Sequence, residues 1–375
     1  MTRVVIAPDK FKGSVTAVEA AEAIALGVRD ALPDAEIRTC PVADGGEGTL
    51  DVLKAAGADV VELRVRGPLD AEVDARYAVL DGTAYIESAR ACGIEHVEPS
   101  PSVSLRAHTW GVGELMAHAL DGGAKRLVLT VGGTASTDGG AGMLMALGAS
   151  VLDGSDAPIG LGGGPLGEVA EVDLSAVTAR LAGVSVGVAT DVTNPLLGPQ
   201  GAAAVFGPQK GARAEEVEQL EGALTAWADA LRIAGGPDVS AAPGAGAGGG
   251  VAGGAIAGLG ATLESGFDLV VELTGVDSAL ERADLVITGE GSLDEQSLNG
   301  KAPAGIASRA GARGIPLLAI AGRIQLDEAQ LAGLGVVGSR ALIEHSPSLA
   351  HAQRHAATLL REQAADLVRE WAAAR

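Results

Sequence analysis

Five loops of the 375-residue chain combine glycine with acidic, hydroxyl or lysine residues, and each follows a short aliphatic run. In chain order these loops are PDKFKGS (8–14), PVADGGEGT (41–49), VGGTASTDGG (131–140), ATDVTN (189–194) and ITGEGSLDEQSLNGK (287–301). Glycine N–H groups at a helix start bind anions, carboxylates hold Mg²⁺ or accept a proton, and lysine neutralises phosphate oxygens. One such loop alone is usually a tight turn, but together the five supply the groups that phosphoryl transfer needs.

Other kinds of catalytic or metal site find little support in the sequence. A Walker A loop is absent, because Gly300 and Lys301 are followed by Ala302 and lack the earlier glycine. The signatures of protein kinases and of serine hydrolases are also missing. His351 and His355 have a metal-compatible i, i+4 spacing without a third ligand, so a solvated helix face is the preferred interpretation.

The pattern G-x-G-x-x-G occurs twice, at Gly244, Gly246 and Gly249 and at Gly248, Gly250 and Gly253. In a chain with 55 glycines such matches arise by chance, and no clear strand precedes them. A nicotinamide-dependent hydroxy-acid dehydrogenase is therefore only an alternative. A non-catalytic sensor that closes on a small acid is the second alternative, and the many acids and lysines at strand ends favour chemistry over it.

Charge and composition exclude several classes of partner. The chain has 48 acidic and 27 basic residues and a net charge of −21, so nucleic acids and anionic membrane surfaces are not expected to bind. The two cysteines form no disulfide framework, and the N-terminus lacks the apolar segment of a signal peptide, so we expect a cytoplasmic protein. Lysine is rare, and four lysines lie beside glycines in loop-like segments: Lys10, Lys12, Lys210 and Lys301.

Strand, glycine-rich loop and Ala/Leu-rich helix alternate along the chain, which predicts an α/β protein with mostly parallel sheets. Thr16 and Glu19 form a capping box at the start of a helix predicted over 17–32. Alternating runs over 59–88 predict antiparallel strands, whereas 153–170 shows little pattern. Further helices are predicted over 110–120, 141–147, 213–232 and 349–372, and further strands over 126–131, 184–189 and 269–272.

In this order, the loop sequences resemble those of the bacterial glycerate kinase family. The matching stretches are APDKFKGS (7–14), PVADGGEGT (41–49), VGGTASTDGGAGML (131–144), ATDVTNPLLGPQGAAAVFGPQKGA (189–212), GAGGGVAGG (246–254) and ITGEGSLDEQSLNGKAP (287–303). These long, unusual strings are spread over nearly the whole chain and contain no departure from the family pattern. The resemblance is therefore far more specific than any short motif.

This resemblance implies a kinase that uses ATP and Mg²⁺ to phosphorylate D-glycerate. Bacterial members of this type are associated with the 2-hydroxyl, giving 2-phosphoglycerate and ADP, and the 3-hydroxyl is the alternative. The resemblance also implies two α/β domains with a cleft between them: a Rossmann-like domain formed by the N- and C-terminal segments, and a second α/β domain inserted in the middle. From the change in sequence texture we place these domains at 1–66 plus 268–375 and at 67–267.

Position and residue type then give candidate roles within this family. Asp191 ends a predicted strand and is the candidate general base, or orienter, for the substrate hydroxyl, with Asp44 as the second candidate. Lys10 or Lys12 is expected to face the transferred phosphate or the glycerate carboxylate. Candidates for binding substrate or phosphate groups are Asp9, Ser14, Gly132, Gly133, Thr134, Ser136 and Lys301, and candidates for holding Mg²⁺, directly or through water, are Glu290 and Asp294.

Overall fold

The computed structural model describes residues 1–43, 45–298 and 302–374. The strands are β1 Arg3–Ile6, β2 Glu36–Thr39, β3 Asp59–Arg66, β4 Glu72–Leu80, β5 Thr83–Glu87, β6 Arg126–Thr130, β7 Ser150–Asp153, β8 Val169–Asp173, β9 Ser185–Ala189, β10 Thr262–Glu264, β11 Leu285–Leu293, β12 Leu317–Ile324 and β13 Val336–Ala341. The α-helices are α1 Ala17–Ala31, α2 Thr49–Ala55, α3 Ala89–Cys92, α4 Pro101–Arg106, α5 Trp110–Asp121, α6 Ala141–Ala146, α7 Ser175–Arg180, α8 Ala202–Phe206, α9 Ala214–Ile233, α10 Val251–Leu259, α11 Gly266–Thr274, α12 Val276–Leu280, α13 Ala302–Ala312, α14 Glu328–Gly333, α15 Leu349–Arg354 and α16 Ala356–Ala373.

The chain divides into two compact units. The first comprises Met1–Asp44, Asp51–Ala56 and Phe267–Arg375, and the second comprises Gly45–Leu50 and Gly57–Gly266. Residues 45–50 and 57–66, predicted for the first domain, belong to the second unit, and Phe267, predicted for the second domain, belongs to the first unit. Strand β3 accounts for the larger of these differences, because it pairs along its whole length with β4.

The first unit is built on a parallel five-stranded sheet with the order β13-β12-β11-β1-β2. Val4 and Ile6 of β1 pack into the core formed with α1 and α16, whereas Val5 packs into the core formed with α11 and α13. Helices therefore cover both faces of the sheet, and β1 is apolar on both sides because neither side meets water. This is the doubly covered α/β arrangement that the strand–helix alternation predicts.

Helix α1 begins at the predicted capping box. The Thr16 hydroxyl accepts a 3.2 Å hydrogen bond from the Glu19 N–H, and the Glu19 carboxylate accepts a 2.8 Å hydrogen bond from the Thr16 N–H. The helix packs closely on α16 at Gly27, where an added Cβ would lie 2.2 Å from the Arg361 carbonyl oxygen. The prediction of this helix is confirmed, with its last residue at Ala31.

The second unit is built on a mixed six-stranded sheet with the order β10-β9-β6-β5-β4-β3. Strands β3, β4 and β5 pair antiparallel, which confirms the antiparallel strands predicted over 59–88. Strands β5, β6, β9 and β10 pair parallel. Leu127, Leu129 and Trp227 are fully buried in its core, and β7 and β8 form a separate antiparallel pair.

Some local predictions differ from the structure. The strand predicted over 269–272 is wrong, because these residues lie in α11. A short apolar run does not distinguish strand from helix, and here Phe267, Val270 and Val271 recur at helical spacing in the core. The helix predicted over 349–372 is divided into α15 and α16 at His355, whose φ of −114° and ψ of 20° are not helical.

Both cysteines are free and buried. Within the described residues, no helix combines the length and the apolar character that a membrane span requires.

Candidate active site

Parallel strands of the second unit end at one edge of its sheet. Thr130 at the end of β6 pairs with Ala189 at the end of β9, and the N–H of Thr190 donates a 3.0 Å hydrogen bond to the carbonyl of Glu264 at the end of β10. The glycine-rich loop after β6 and the loop that carries Asp191 therefore begin side by side. Ligands of α/β sheets bind at this carboxyl edge of the strands.

A pocket of about 120 Å³ lies at this edge, lined by residues that include Gly132, Gly133, Thr134, Thr190 and Lys210. Gly132 and Gly133 form an exposed turn, in which Gly133 has a φ of +74°. Their N–H groups donate to no backbone carbonyl of the described chain. Successive N–H groups in such a turn form a concave site for an anion.

Lys210 supplies the cation of this pocket. Its side chain is only 2% exposed, and Nζ donates hydrogen bonds to the carbonyl of Ser136 and, over 3.4 Å, to Oγ1 of Thr134. Burial lowers the pKa of Lys210 to about 8, against the opposing effects of Cys92 and Asp138. Because burial raises the pKa of Cys92 to about 12, that thiol is neutral where Lys210 titrates, and Asp138 is the negative charge that favours the ammonium.

Gly249 makes room for the Lys210 side chain. An added Cβ at Gly249 would lie 2.1 Å from the Ser136 carbonyl oxygen and 2.6 Å from Nζ of Lys210. Its φ of +73° is also in the left-handed region that favours glycine. The glycine is therefore a requirement of the pocket, for reasons of both space and backbone conformation.

The G-x-G-x-x-G matches do not have the structural context of a dinucleotide site. That fingerprint requires a strand leading directly into the glycines. In the described chain, the segment between the end of α9 at Ile233 and the start of α10 at Val251 contains no strand. Its glycines serve close backbone packing instead, such as Gly246 against the carbonyl of Pro195.

Asp191 lies one residue after Thr190, which lines the pocket. Its side chain is exposed, and Oδ1 accepts a 3.2 Å hydrogen bond from the N–H of Gly266. A backbone donor thus orients a carboxylate that remains open to solvent. This geometry fits the base predicted for the position, and the role itself stays a prediction.

Ser136, a predicted binding residue, presents no hydroxyl to the pocket. Its side chain is fully buried, and Oγ donates to the Cys92 sulfur over 3.9 Å. Its contribution is the carbonyl that accepts from Lys210. The sequence of a glycine-rich loop does not indicate which way a serine side chain in it points.

Asp138 fixes the far end of the same loop. Its buried carboxylate accepts 2.8 Å hydrogen bonds from the N–H and from the hydroxyl of Thr109, and a 3.2 Å hydrogen bond from the N–H of Gly142 in α6. The carboxylate therefore ties the loop to the starts of α5 and α6, which holds the 132–134 turn in place.

The predicted residues of the first unit lie at the ends of β1 and β11. Asp9 is buried, its N–H donates to the Gly289 carbonyl over 2.8 Å, and its Oδ1 accepts from the Lys10 N–H over 2.6 Å. Lys12 and Ser14 line a pocket of about 220 Å³. The Ser14 hydroxyl donates to a backbone carbonyl, that of Gln353, over 3.0 Å.

Glu290 and Asp294, the predicted Mg²⁺ ligands, lie on β11 and directly after it. Glu290 is buried within β11 and Asp294 follows that strand, so the extended backbone separates their Cα atoms by about 13 Å. No cluster of three or more acidic, His or Cys side chains suited to a metal occurs among the described residues. Mg²⁺ is often held by one or two carboxylates together with substrate phosphates, so one direct contact and one through water fit these two residues.

Two predicted residues, Asp44 and Lys301, lie outside the described residues. Two further residues near the ends of the second unit's strands and loops had no role predicted from the sequence. Lys210 carried a signal, since it is a rare lysine beside glycine, but its burial is visible only in the fold. Glu87 had no sequence signal of this kind. At the end of β5, its buried carboxylate accepts 2.8 Å hydrogen bonds from the Leu50 N–H and from Nε of Arg90.

Comparison with known proteins agrees with the loop sequences. The model of the glycerate kinase family matches residues 4–372. The glycerate kinase of Bacillus subtilis is 43% identical over 97% of this chain and 96% of its own length, and the glycerate 2-kinase of Escherichia coli K12 is 43% identical over 87% of this chain and 86% of its own. A crystal structure from Salmonella typhimurium LT2, provisionally named glycerate kinase 2, superimposes with a TM-score of 0.85 at 38% identity, covering 100% of this chain and 99% of that one. The chain belongs to the glycerate kinase family.

Proposed function

We propose that the protein transfers the γ-phosphoryl group of ATP to the 2-hydroxyl of D-glycerate, giving 2-phosphoglycerate and ADP. The observation that carries this proposal is the pocket after β6 and β9, where the Gly132–Gly133 turn and the Lys210 ammonium lie beside the loop of Asp191. A small hydroxy acid needs this combination of an anion site and a nearby proton acceptor. The Escherichia coli relative is named for the 2-position, which supports that hydroxyl.

In this reaction the substrate hydroxyl oxygen attacks the γ-phosphorus, and the bond from that phosphorus to the β–γ bridging oxygen breaks to release ADP. The Asp191 carboxylate takes the hydroxyl proton and passes it to solvent. The hydrogen bond from Gly266 holds that carboxylate in one orientation. Because phosphoryl transfer depends mainly on positioning and charge neutralisation, the pocket's N–H groups and ammonium contribute by holding an anionic group beside this carboxylate.

The nucleotide contacts are proposed for the first unit. Its pocket of about 220 Å³ combines Lys12 and Arg323 with apolar side chains such as Phe11 and Leu342. Nucleotide sites have this character, with mainly apolar walls and a few charged groups that fix orientation. Lys10 and Lys12 are the proposed contacts of the phosphates.

Mg²⁺ is proposed to bind with the nucleotide, with Glu290 or Asp294 as its protein ligand and the other residue acting through water. When bound, it neutralises charge on the phosphate oxygens. The donor set consists of carboxylate oxygens, which suit this hard cation.

The proposal is tested by ADP release from MgATP with D-glycerate, run in parallel with an enolase-coupled readout. ADP with an immediate enolase signal supports the 2-kinase, because enolase acts on 2-phosphoglycerate. A signal that requires added phosphoglycerate mutase would instead establish attack by the 3-hydroxyl. Absence of ADP from the folded protein would contradict the kinase proposal, and small hydroxy acids other than glycerate would then be screened.

A further inference from the structure

We propose that the Lys210 ammonium, together with the N–H groups of Gly132 and Gly133, binds the carboxylate of the hydroxy-acid substrate and makes the enzyme specific for an acid over a neutral alcohol. The inference rests on the proposed function and identifies which part of the site recognises the substrate. It is carried by four observations on the second unit: the donors left at Nζ, the charge, the size of the pocket and the fit of Gly249.

The first observation is the number of donors at Nζ. An ammonium has three N–H donors. In the described structure, two acceptors face Lys210 Nζ, the Ser136 carbonyl and Oγ1 of Thr134. Both are neutral oxygens, and Lys210 also lines the pocket. One donor of the ammonium is therefore left for a ligand.

The second observation is the charge. Lys210 is almost completely buried, and no described carboxylate hydrogen-bonds to it. Asp138 favours the ammonium through its charge alone, without a hydrogen bond. A buried charge without a direct counter-ion is costly for folding. Its low exposure and its lowered pKa of about 8 show that cost, which an anion in the pocket would offset.

The third observation is the size of the pocket. Its volume of about 120 Å³ corresponds to about four water molecules at their share of liquid volume. A three-carbon hydroxy acid fits this space. The pocket therefore accommodates the whole small acid, and the binding experiment distinguishes this acid from a phosphate group of the nucleotide.

The fourth observation is that the surrounding backbone is shaped around the ammonium. Gly249 approaches Nζ so closely that its missing Cβ would lie 2.6 Å away. Gly132 and Gly133 extend the anion site with N–H groups that donate to no backbone carbonyl of the described chain.

The test compares wild type, Lys210→Met and, as a matched control, Lys125→Met, an exposed lysine of the same unit. D-glycerate is titrated calorimetrically into full-length protein saturated with MgCl₂ and a non-hydrolysable ATP analogue, from pH 7 to 9.5. We expect Lys210→Met to weaken glycerate binding by about 10- to 100-fold, as for loss of a charged hydrogen bond. Lys125→Met should bind like wild type.

The pH dependence is a readout that a merely structural role would not move. Because the free ammonium loses its proton above pH 8, wild-type affinity for glycerate should fall about tenfold per pH unit there, and Lys210→Met should show no such fall. At pH 8.5 wild type should also take up most of a proton on binding, measured from the buffer dependence of the binding enthalpy. This measurement needs no variant and stands if Lys210→Met fails to fold.

Unchanged glycerate affinity in folded Lys210→Met, or no proton uptake by wild type, would overturn the inference while leaving the kinase proposal intact. The ATP analogue is also titrated alone into each protein, and a loss confined to its binding would overturn the inference, because the anion would then be a nucleotide phosphate. If wild type produces no phosphoglycerate from D-glycerate in the enolase assay, the proposed function fails and this inference fails with it.

Discussion

The backbone N–H of Gly266 donates a 3.2 Å hydrogen bond to Oδ1 of Asp191, so the chain just after β10 orients a carboxylate that stands just after β9. Two neighbouring parallel strands thus cooperate to position one side chain. Such an arrangement fixes a group more precisely than one loop alone, because each strand end is held by its sheet.

The first prediction concerns this carboxylate. Asp191→Asn keeps an oxygen that accepts from Gly266 but removes the proton acceptor. We expect kcat to fall by about 10²- to 10⁴-fold, with the KM for ATP nearly unchanged, in steady-state assays of ADP release. Asp229→Asn, an exposed acid on α9, is the control. A wild-type kcat in Asp191→Asn would remove this residue from the role of base.

The second prediction concerns the stability of the protein and Lys210. Below pH 8 the lysine is charged in the folded and unfolded chains, so the full cost of its burial is present. Between the folded pKa of about 8 and the ordinary lysine pKa of 10.5, the unfolded chain binds more protons, and stability rises with pH. A pKa shift of this size corresponds to a burial cost of about 3 kcal/mol. Lys210→Met removes this cost but also removes the hydrogen bonds of Nζ, which stabilise the folded chain by about 1 kcal/mol.

Urea unfolding should therefore show Lys210→Met to be about 1–3 kcal/mol more stable than wild type at pH 7. This stability advantage of Lys210→Met should be lost by pH 10.5, where the lysine is largely neutral in the folded chain. A variant less stable than wild type at pH 7 would mean that the lysine is a structural residue. Lys125→Met, whose side chain is exposed and carries no burial cost, should match the stability of wild type at pH 7.

The third prediction concerns Gly249. Gly249→Ala places Cβ against the Ser136 carbonyl and Nζ of Lys210 in a left-handed backbone conformation. We expect a loss of about 2–4 kcal/mol in the free energy of unfolding, measured with urea, together with a raised KM for glycerate. Gly222→Ala in α9, where an added Cβ meets nothing within 4 Å, should be neutral or stabilise by up to about 1 kcal/mol. Equal stability of the two variants would contradict the close approach.

Much of the fold follows from local sequence signals. The capping box at Thr16 and Glu19 fixes the start of α1, and the strand–loop–helix alternation predicts the parallel strands of both large sheets. Signals of this kind act within a few residues of one another. The 269–272 strand was predicted wrongly because a short apolar run lacks such a signal, and only packing of Phe267 and Val270 against the first unit's sheet selects the helix.

The site was less predictable, for a physical reason. The glycine-rich loop and Asp191 could be found because glycine and acid at strand ends are visible locally. The burial of Lys210 depends on Ser136 and Gly249, which are distant in sequence and meet it only in the folded chain. For the same reason, the inward direction of the Ser136 side chain could not be read from its loop.

The last prediction concerns the pocket of the first unit. Lys12 is an exposed residue that lines this pocket beside Arg323. If it contacts the phosphates of ATP, Lys12→Ala should raise the KM for MgATP by about 10-fold or more and leave the KM for glycerate nearly unchanged. Added salt should weaken the binding of MgATP to wild type more than to the variant, because an exposed charge is screened. The control is Lys54→Ala, an exposed lysine on α2. An effect on the KM for glycerate alone would mean that Lys12 contacts the acid substrate instead. Wild-type KM values for both substrates would show that its charge is simply solvated.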